Sequence, residues 1–443
     1  VEVADFSDEQ IQEFANRWFL VREPEAVNDE GRSTVGQLFW DALSDREPVK
    51  ELAANPLLLT LLCLEFENSA EFPKSRAELY ERGLNVLLSK WDGQRRIRRE
   101  SAYGKLSVKR KESFLAQLAI ATFARGEYFF KERVAIQEIG KYIENLPDAR
   151  SDEDLLVDSR EVLRDIVAQH GLLTERATGI YSFSHLTFHE YFVARSIVDI
   201  SNPVKYEAAL SLLMEHVADQ RWREVFLLVV ERTDDAGYVL TWMKRVIDEI
   251  ANEPTIQQVL NWVSKKSSSI KGQYKNSAVR AFYLGFTLRE FYGKEIDLDI
   301  AIDSSLDLDL DLSLNLALSR SNNSSTELAR DLALAVTQAD DFKLKSKLQN
   351  LWDLLPNTST EGNNDFNKWW KSHGRSWIEK LRKITIEHRN IGHDWQFSKS
   401  QKELLQNYYD ANKLLVDCLK SECYANRQVL QHIEDTLLLP FEN

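Results

Sequence analysis

Between residues 171 and 198 the chain sets two imidazoles, His185 and His189, about one helical turn apart, with Glu190 beside the second. That spacing could offer two ligands to zinc, but no third ligand follows in register. A histidine just ahead of a helix could instead hydrogen-bond a phosphate oxygen, because unpaired N–H groups and the positive end of the helix dipole favour anions there. A second constellation is Arg382 with His388, and Arg389-Asn390 with His393. Arginine to hold a phosphate and histidine for acid–base work is the chemistry of RNA cleavage. Six aspartates at 297, 299, 303, 307, 309 and 311 suggest Ca²⁺, yet they carry no glycine-bearing loop of the usual kind. The glycine–lysine pairs Gly104-Lys105, Gly140-Lys141 and Gly293-Lys294 are followed by Leu, Tyr and Glu, so no P-loop and no Mg²⁺-binding hydroxyl is present. No apolar run ending in paired acids supplies a second metal-binding motif. The chain alone cannot build an NTPase site, and it is read as no enzyme by itself.

The elements that must place His185 are legible around it. Leu172–Glu175 and Ile180–Phe183 read as two short strands joined by a turn at Ala177-Thr178-Gly179, where glycine can take a positive φ. Thr187-x-x-Glu190 reads as a capping box opening a helix near Leu186, with Phe188, Tyr191, Phe192 and Arg195 at helical spacing. Upstream, Ser7-x-x-Gln10 and Ser75-x-x-Glu78 cap further helices. Asn55-Pro56 starts a helix that is apolar all round and therefore buried, with Pro56 at the first position, where no N–H is missed. Helices are expected near 107–124, 134–145 and 159–169, and then in close succession from 203 to 292. Residues 296–318 alternate apolar and polar residues as a strand would. Their length and their lack of β-branched residues favour helices broken near Ser304 and Ser321. Trp369, Trp370, Trp377, Ile384 and Trp395 form a core or contact surface in the last helices.

The bulk numbers fit this reading. The chain has 443 residues, 43% hydrophobic and 28% charged, with nine Pro and sixteen Gly, which favours long helices over turn-rich β structure. A net charge of −14 disfavours nucleic acid and anionic membranes. The basic stretch 93–111 is read as a solvated connection, since only Tyr103 could stack on a base. Cys63, Cys418 and Cys423 have no metal-ligand spacing, and so sparse a count fits a reducing cytoplasm. Pro56–Leu64 is the longest apolar run and is far too short to span a bilayer.

The segment Phe183-Ser-His-Leu-Thr-Phe-His-Glu-Tyr-Phe-Val-Ala194 resembles the end of the winged helix in NACHT-type STAND NTPases, relatives of the NOD-like receptors. His189 stands where that family often has Gln. The resemblance implies that His185 contacts the phosphates of ADP. It also implies that Pro56, matching an Asn-Pro-Leu helix start, lies against the adenine. The implied fold is mainly α. Residues 1–25 would be the exit strand and helix of a nucleotide-binding domain whose body lies upstream. A first helical domain would cover 26–100 and a winged helix with a small β-hairpin wing 101–200. A solenoid-like helical arm with the Leu/Asp tract would cover 201–345, and a Trp-rich helical domain 346–443. The implied role is the regulatory and sensor portion of a nucleotide-controlled switch in bacterial defence or stress signalling. ADP or ATP with Mg²⁺ would be held by the parent protein. The implied partners are the NTPase domain in cis, an unidentified ligand or protein at the C-terminal helices, and further copies of itself on activation. Two other readings stand beside it: a helical interaction scaffold without a nucleotide role, and a ribonuclease of the HEPN type built on the Arg/His pairs.

Overall fold

The computed structural model describes residues 6–441, apart from 29–30, 70–71, 95–107, 145–158, 165, 168–171, 271–273, 293–308, 320–324 and 357–362. It is mainly α, with one small antiparallel sheet of strand order β1-β3-β2. Its contacts divide the chain into two compact units. One comprises residues 1–240 with 417–426, the other 241–416 with 427–443. The helices read from the sequence as one arm at 201–345 are thus shared between the two. The exit strand expected at the start falls largely on residues 1–5, outside the described residues, as does most of the basic stretch 93–111.

The first unit opens with helices α1 (Asp8–Arg22), α2 (Thr34–Ser44), α3 (Glu47–Ala53), α4 (Pro56–Ser69) and α5 (Arg76–Gln94). Ser7 and Gln10 form the expected capping box on α1. Asn55 Oδ1 accepts from Leu58 N–H ahead of α4, and Ser75 Oγ accepts from Glu78 N–H ahead of α5. Phe19, Phe39, Phe66 and Phe72 stack edge and face within 5.2–6.0 Å of one another where α1, α2 and α4 meet. Glycine sets a helix separation at Gly83 of α5, where a Cβ would stand 2.9 Å from Leu61 of α4. The unit continues through α6 (Val108–Phe123), β1 (Phe130–Lys131), α7 (Glu132–Glu144), a helical stretch at 159–164 (α8), β2 (Leu173–Ala177), β3 (Ile180–Phe183) and α9 (Leu186–Val198). Helices α10 (Pro203–Met214) and α11 (Arg223–Arg232) then return, and α11 lies on α9. No stripe pattern organises α9. All but one of its residues from Phe188 to Ile197 are buried, so it is an interior helix.

In the second unit most of α12 (Gly237–Ile250), α13 (Pro254–Ser269) and α14 (Asn276–Tyr292) precede the Leu/Asp tract. Its described part, Asp309–Ser319, is a helix (α15), followed by α16 (Ser325–Gln338), α17 (Phe342–Trp352), α18 (Asn363–Arg389), α19 (Lys399–Lys420) and α20 (Arg427–Thr436). Alternating leucines reach several faces of α15, and the helix is packed accordingly on α14, α16 and α18. One of its aspartates goes inward. Asp311 is fully buried and accepts from Tyr283 Oη at 2.6 Å and Arg389 Nε at 2.5 Å, with Lys266 Nζ at 3.2 Å. Lys266 also donates to the Arg389 carbonyl, and Trp262 Nε1 donates to that of Asn390, 2.8 Å away. The acidic tract therefore supplies a structural anchor where α13, α14, α15 and the end of α18 converge. Among the described residues no helix is long and apolar enough to cross a membrane.

Removing one partner of a buried charge cluster leaves the others uncompensated, which typically costs about 3–5 kcal/mol. Asp311→Ala is expected to lower the stability of the second unit by that amount, while Asp353→Ala, on the exposed end of α17, leaves it unchanged. Denaturant unfolding followed by the tryptophans of α13 and α18 reads the difference.

Candidate functional site

The wing determines where His185 stands. β2 and β3 pair antiparallel, with Leu173 opposite Phe183, Thr174 opposite Ser182 and Glu175 opposite Tyr181; the register then slips so that Ala177 faces Ile180. Arg176 occupies the irregularity. Gly179 closes the turn at φ +71° and donates its N–H to Glu175 Oε1 at 2.8 Å. Arg176 folds back along the hairpin: Nε donates to Ser182 Oγ (2.9 Å) and Nη2 to the Ser184 carbonyl (2.8 Å), next to His185. Ser184 N–H in turn donates to the Leu172 carbonyl at 2.9 Å, closing the corner.

His185 is the N-cap residue of α9, in extended conformation, and its side chain makes no cap hydrogen bond. The capping box expected from Thr187 and Glu190 does not form. Thr187 is the second residue inside the helix, and Glu190 is 8% exposed because its face of α9 is the packed one. The first-turn N–H groups of α9 are left without a side-chain cap. The His185 ring is exposed and edge-on to Phe188, with centroids 6.0 Å apart. Desolvation first, and then the Arg176 charge, hold its pKa below the ordinary histidine value.

His189 has a different fate. It is 1% exposed, stacked on Phe183 at 4.5 Å, and its Nε2 donates to the Ala119 carbonyl at 3.0 Å with Thr122 Oγ1 at 2.9 Å. Burial lowers its pKa to about 4, so it is a neutral core residue. The two imidazoles form no metal pair, and among the described residues no group of three or more His, Cys, Asp or Glu could hold a metal. Pro56 is half-buried at the first position of α4. It does not share an element with His185; α5 packs against both α4 and α9.

Residues 76–197 match the winged helix-turn-helix domain C-terminal to NACHT. Residues 344–440 match the NACHT C-terminal helical domain 2. These are the domains that follow a NACHT NTPase core. Both are non-catalytic, and no NTPase core is detected in the chain. No curated protein matches it.

In the NACHT-associated winged helix, a set of ion pairs that sequence reasoning did not reach fixes α9. Arg195 pairs with Glu112 of α6 at 2.9 Å and with Asp199 at 3.0 Å. Arg232 of α11 donates to Tyr191 Oη at 3.1 Å and reaches Asp199 at 3.4 Å. At the start of α5, Arg76 Nη1 lies 3.0 and 2.8 Å from the two Glu224 oxygens, and its Nε is 3.4 Å from Glu231. Glu231 also accepts from Ala77 N–H at 3.0 Å, so α11 supplies the anion at the N-terminus of α5. Burial drives the Glu231 pKa up to about 7 against the pull of Arg76. Arg76 and its two acids stand 148 and 155 positions apart, and no local pattern marks them. The available signal was an Arg/Glu pair at each end of α11, REVFLLVVER, around a wholly apolar middle.

In the second helical domain the Arg/His residues do not converge on a reaction site. Arg389 is committed to Asp311, His388 Nε2 lies 3.0 Å from Lys347 Nζ, and His393 Nε2 lies 2.8 Å from Asn390 Oδ1. Of the tryptophans expected to form a core or contact surface there, Trp369, Trp370 and Trp377 run in ring contact along α18, successive centroids 6.0 Å apart, while Trp395 packs on Trp262. Trp377 is buried and donates to the Leu351 carbonyl at 2.9 Å, while Trp369 and Trp370 are half-buried along α18.

A hydrogen bond to a charged group is worth about 1.5–3 kcal/mol. Arg76→Ala is expected to destabilise the first unit by roughly that amount, and Arg76→Lys to recover only part of it, because a single ammonium cannot span Glu224 and Glu231. Thermal or denaturant unfolding of the purified chain measures both.

Proposed function

We propose that this chain is the regulatory and sensor part of a NACHT-type STAND NTPase, a nucleotide-controlled switch acting in bacterial defence or stress signalling. One observation carries the reading: His185 stands exposed at the uncapped start of an interior helix, with the Arg176 guanidinium fixed on the adjoining residue. An exposed imidazole, a neighbouring cation and free N–H groups suit a phosphate better than any neutral ligand. Nucleotide and Mg²⁺ would be held by the NTPase core. From this chain His185 would meet a phosphate oxygen and Pro56 the adenine. When bound, ADP would supply the negative charge that draws the winged helix shut. The interior packing of α9 makes His185 report the position of the whole winged helix, because the residue cannot move without its helix.

Ligand capture by the C-terminal helices would favour the state in which His185 is withdrawn, allowing nucleotide exchange and self-assembly. This is a two-state equilibrium biased by differential contacts. The scaffold reading draws on the exposed apolar side chains Leu334, Phe342, Trp352 and Leu354 near α16 and α17. Those residues serve equally well as the sensing surface of the switch. The ribonuclease reading has less support, since its Arg389 is spent on Asp311.

In the protein carrying its NTPase core, His185→Ala is expected to accelerate ADP release about 10- to 100-fold, the equivalent of one charge-assisted hydrogen bond. Stopped-flow release of a fluorescent ADP analogue measures this. An unchanged rate would remove His185 from the nucleotide site.

A further inference from the structure

Glu190 is nine-tenths buried on α9, yet no hydrogen bond or ion pair holds its carboxyl among the described residues. The charged and titratable groups around it come from three directions. α5 presents Tyr80 and Arg76. α11 presents Glu224, which shares Arg76 with Glu231. Ahead of β1, Tyr128 stands with Arg221 and Asp219 behind it. Arg76 cannot neutralise Glu190, because both oxygens of Glu224 and one of Glu231 already occupy it. Arg221 is held by Asp219, with Nε 3.0 Å from Oδ1. The cluster therefore has more carboxyls than cations, and Glu190 is the one without a partner. An ionised carboxylate there would have little water and no counter-ion, and Glu224 would repel it.

We infer that Glu190 is a proton-carrying latch: it sits in the packed winged helix as the neutral acid and gives up its proton when α9 lifts from α11. The inference holds for this chain whether or not His185 binds nucleotide, and it adds a control on the helix that His185 begins. The electrostatics agree in sign. Desolvation, and then Glu224, raise the Glu190 pKa to about 8 from an ordinary 4.5. A carboxyl raised in the packed state is protonated there but ionised when released, between about pH 4.5 and 8. Across that window Glu190 favours opening as pH rises, and above it the full penalty is in place; below about pH 6.5 His189 on the same helix opposes this, because it is held at about 4 when packed and takes up a proton on release. The Glu190 latch is therefore read above about pH 6.5, where His189 is neutral in both states.

Hydrogen exchange of the α9 amides, corrected for the intrinsic effect of pH and referenced to α1, tests this in the whole chain. The opening constant of α9 is expected to rise between pH 6.5 and 7.5 by up to about tenfold, the limit for one proton. Glu190→Gln, a neutral isostere, is expected to flatten that rise and keep α9 protected at pH 7.5. Should Glu190→Gln disturb folding, Glu224→Gln serves instead: with the repulsion gone, the rise in opening ends at a lower pH. Infrared difference spectra at pH 7 give a direct view. The carbonyl band of a protonated carboxylic acid is expected in the wild type and lost in Glu190→Gln. Equal pH dependence of α9 opening in wild type and Glu190→Gln, or no difference in the acid carbonyl band, would overturn the proposal.

Discussion

Helix α9 must bury a histidine, a glutamate, a tyrosine and an arginine, because its apolar residues leave no face for water. Each polar group obtains relief in its own way. His189 gives up its charge and donates to the Ala119 carbonyl. Arg195 is paired on both sides by Glu112 and Asp199. Tyr191 accepts from Arg232. Glu190 has only the proton it keeps. Breaking a buried pair costs more than forming it gains, so such a helix tolerates few positions intermediate between packed and released. It holds the winged helix as one body, and His185 inherits its position from that body.

The same rule governs the second unit, with opposite stoichiometry. There one fully buried acid, Asp311, has three donors, Tyr283, Arg389 and Lys266. Around Arg76 two carboxylates share one guanidinium, and a third goes without. Excess donors around Asp311 make a fixed joint. Excess acids around Arg76 make a joint whose strength follows pH. The difference matters for a switch: a protein that must open somewhere should have its weaker joint where opening is useful, and the weaker joint here lies behind the helix that His185 begins.

Much of this was legible in the sequence, and what was not has a physical cause. The hairpin, its turn at Gly179 and the helix after His185 follow from local spacing, as does the cap on α5, because turns and caps are made within four residues. The Thr187/Glu190 capping box fails for the same reason. Local spacing permits it, but packing of α9 against α5 and α11 turns Glu190 inward. The Arg76–Glu224 and Asp311–Arg389 pairs span 148 and 78 positions, and no local rule reaches so far. The helical state of Asp309–Ser319 could be argued from the lack of β-branching, against the strand-like alternation. Which of its aspartates would be buried could not. The exposure of His185 was likewise beyond the sequence, since a corner histidine can face either solvent or core. Its neighbour Arg176 entered only when the hairpin irregularity brought its guanidinium onto the Ser184 carbonyl.

The account rests most heavily on the imidazole at the start of α9 being a nucleotide contact rather than an incidental surface residue. A structure of the protein with its NTPase core and bound ADP decides this. The account predicts a His185 ring nitrogen within hydrogen-bonding reach, about 2.7–3.2 Å, of a phosphate oxygen. A His185 ring facing solvent, or covered by protein with the phosphates held elsewhere, would contradict it.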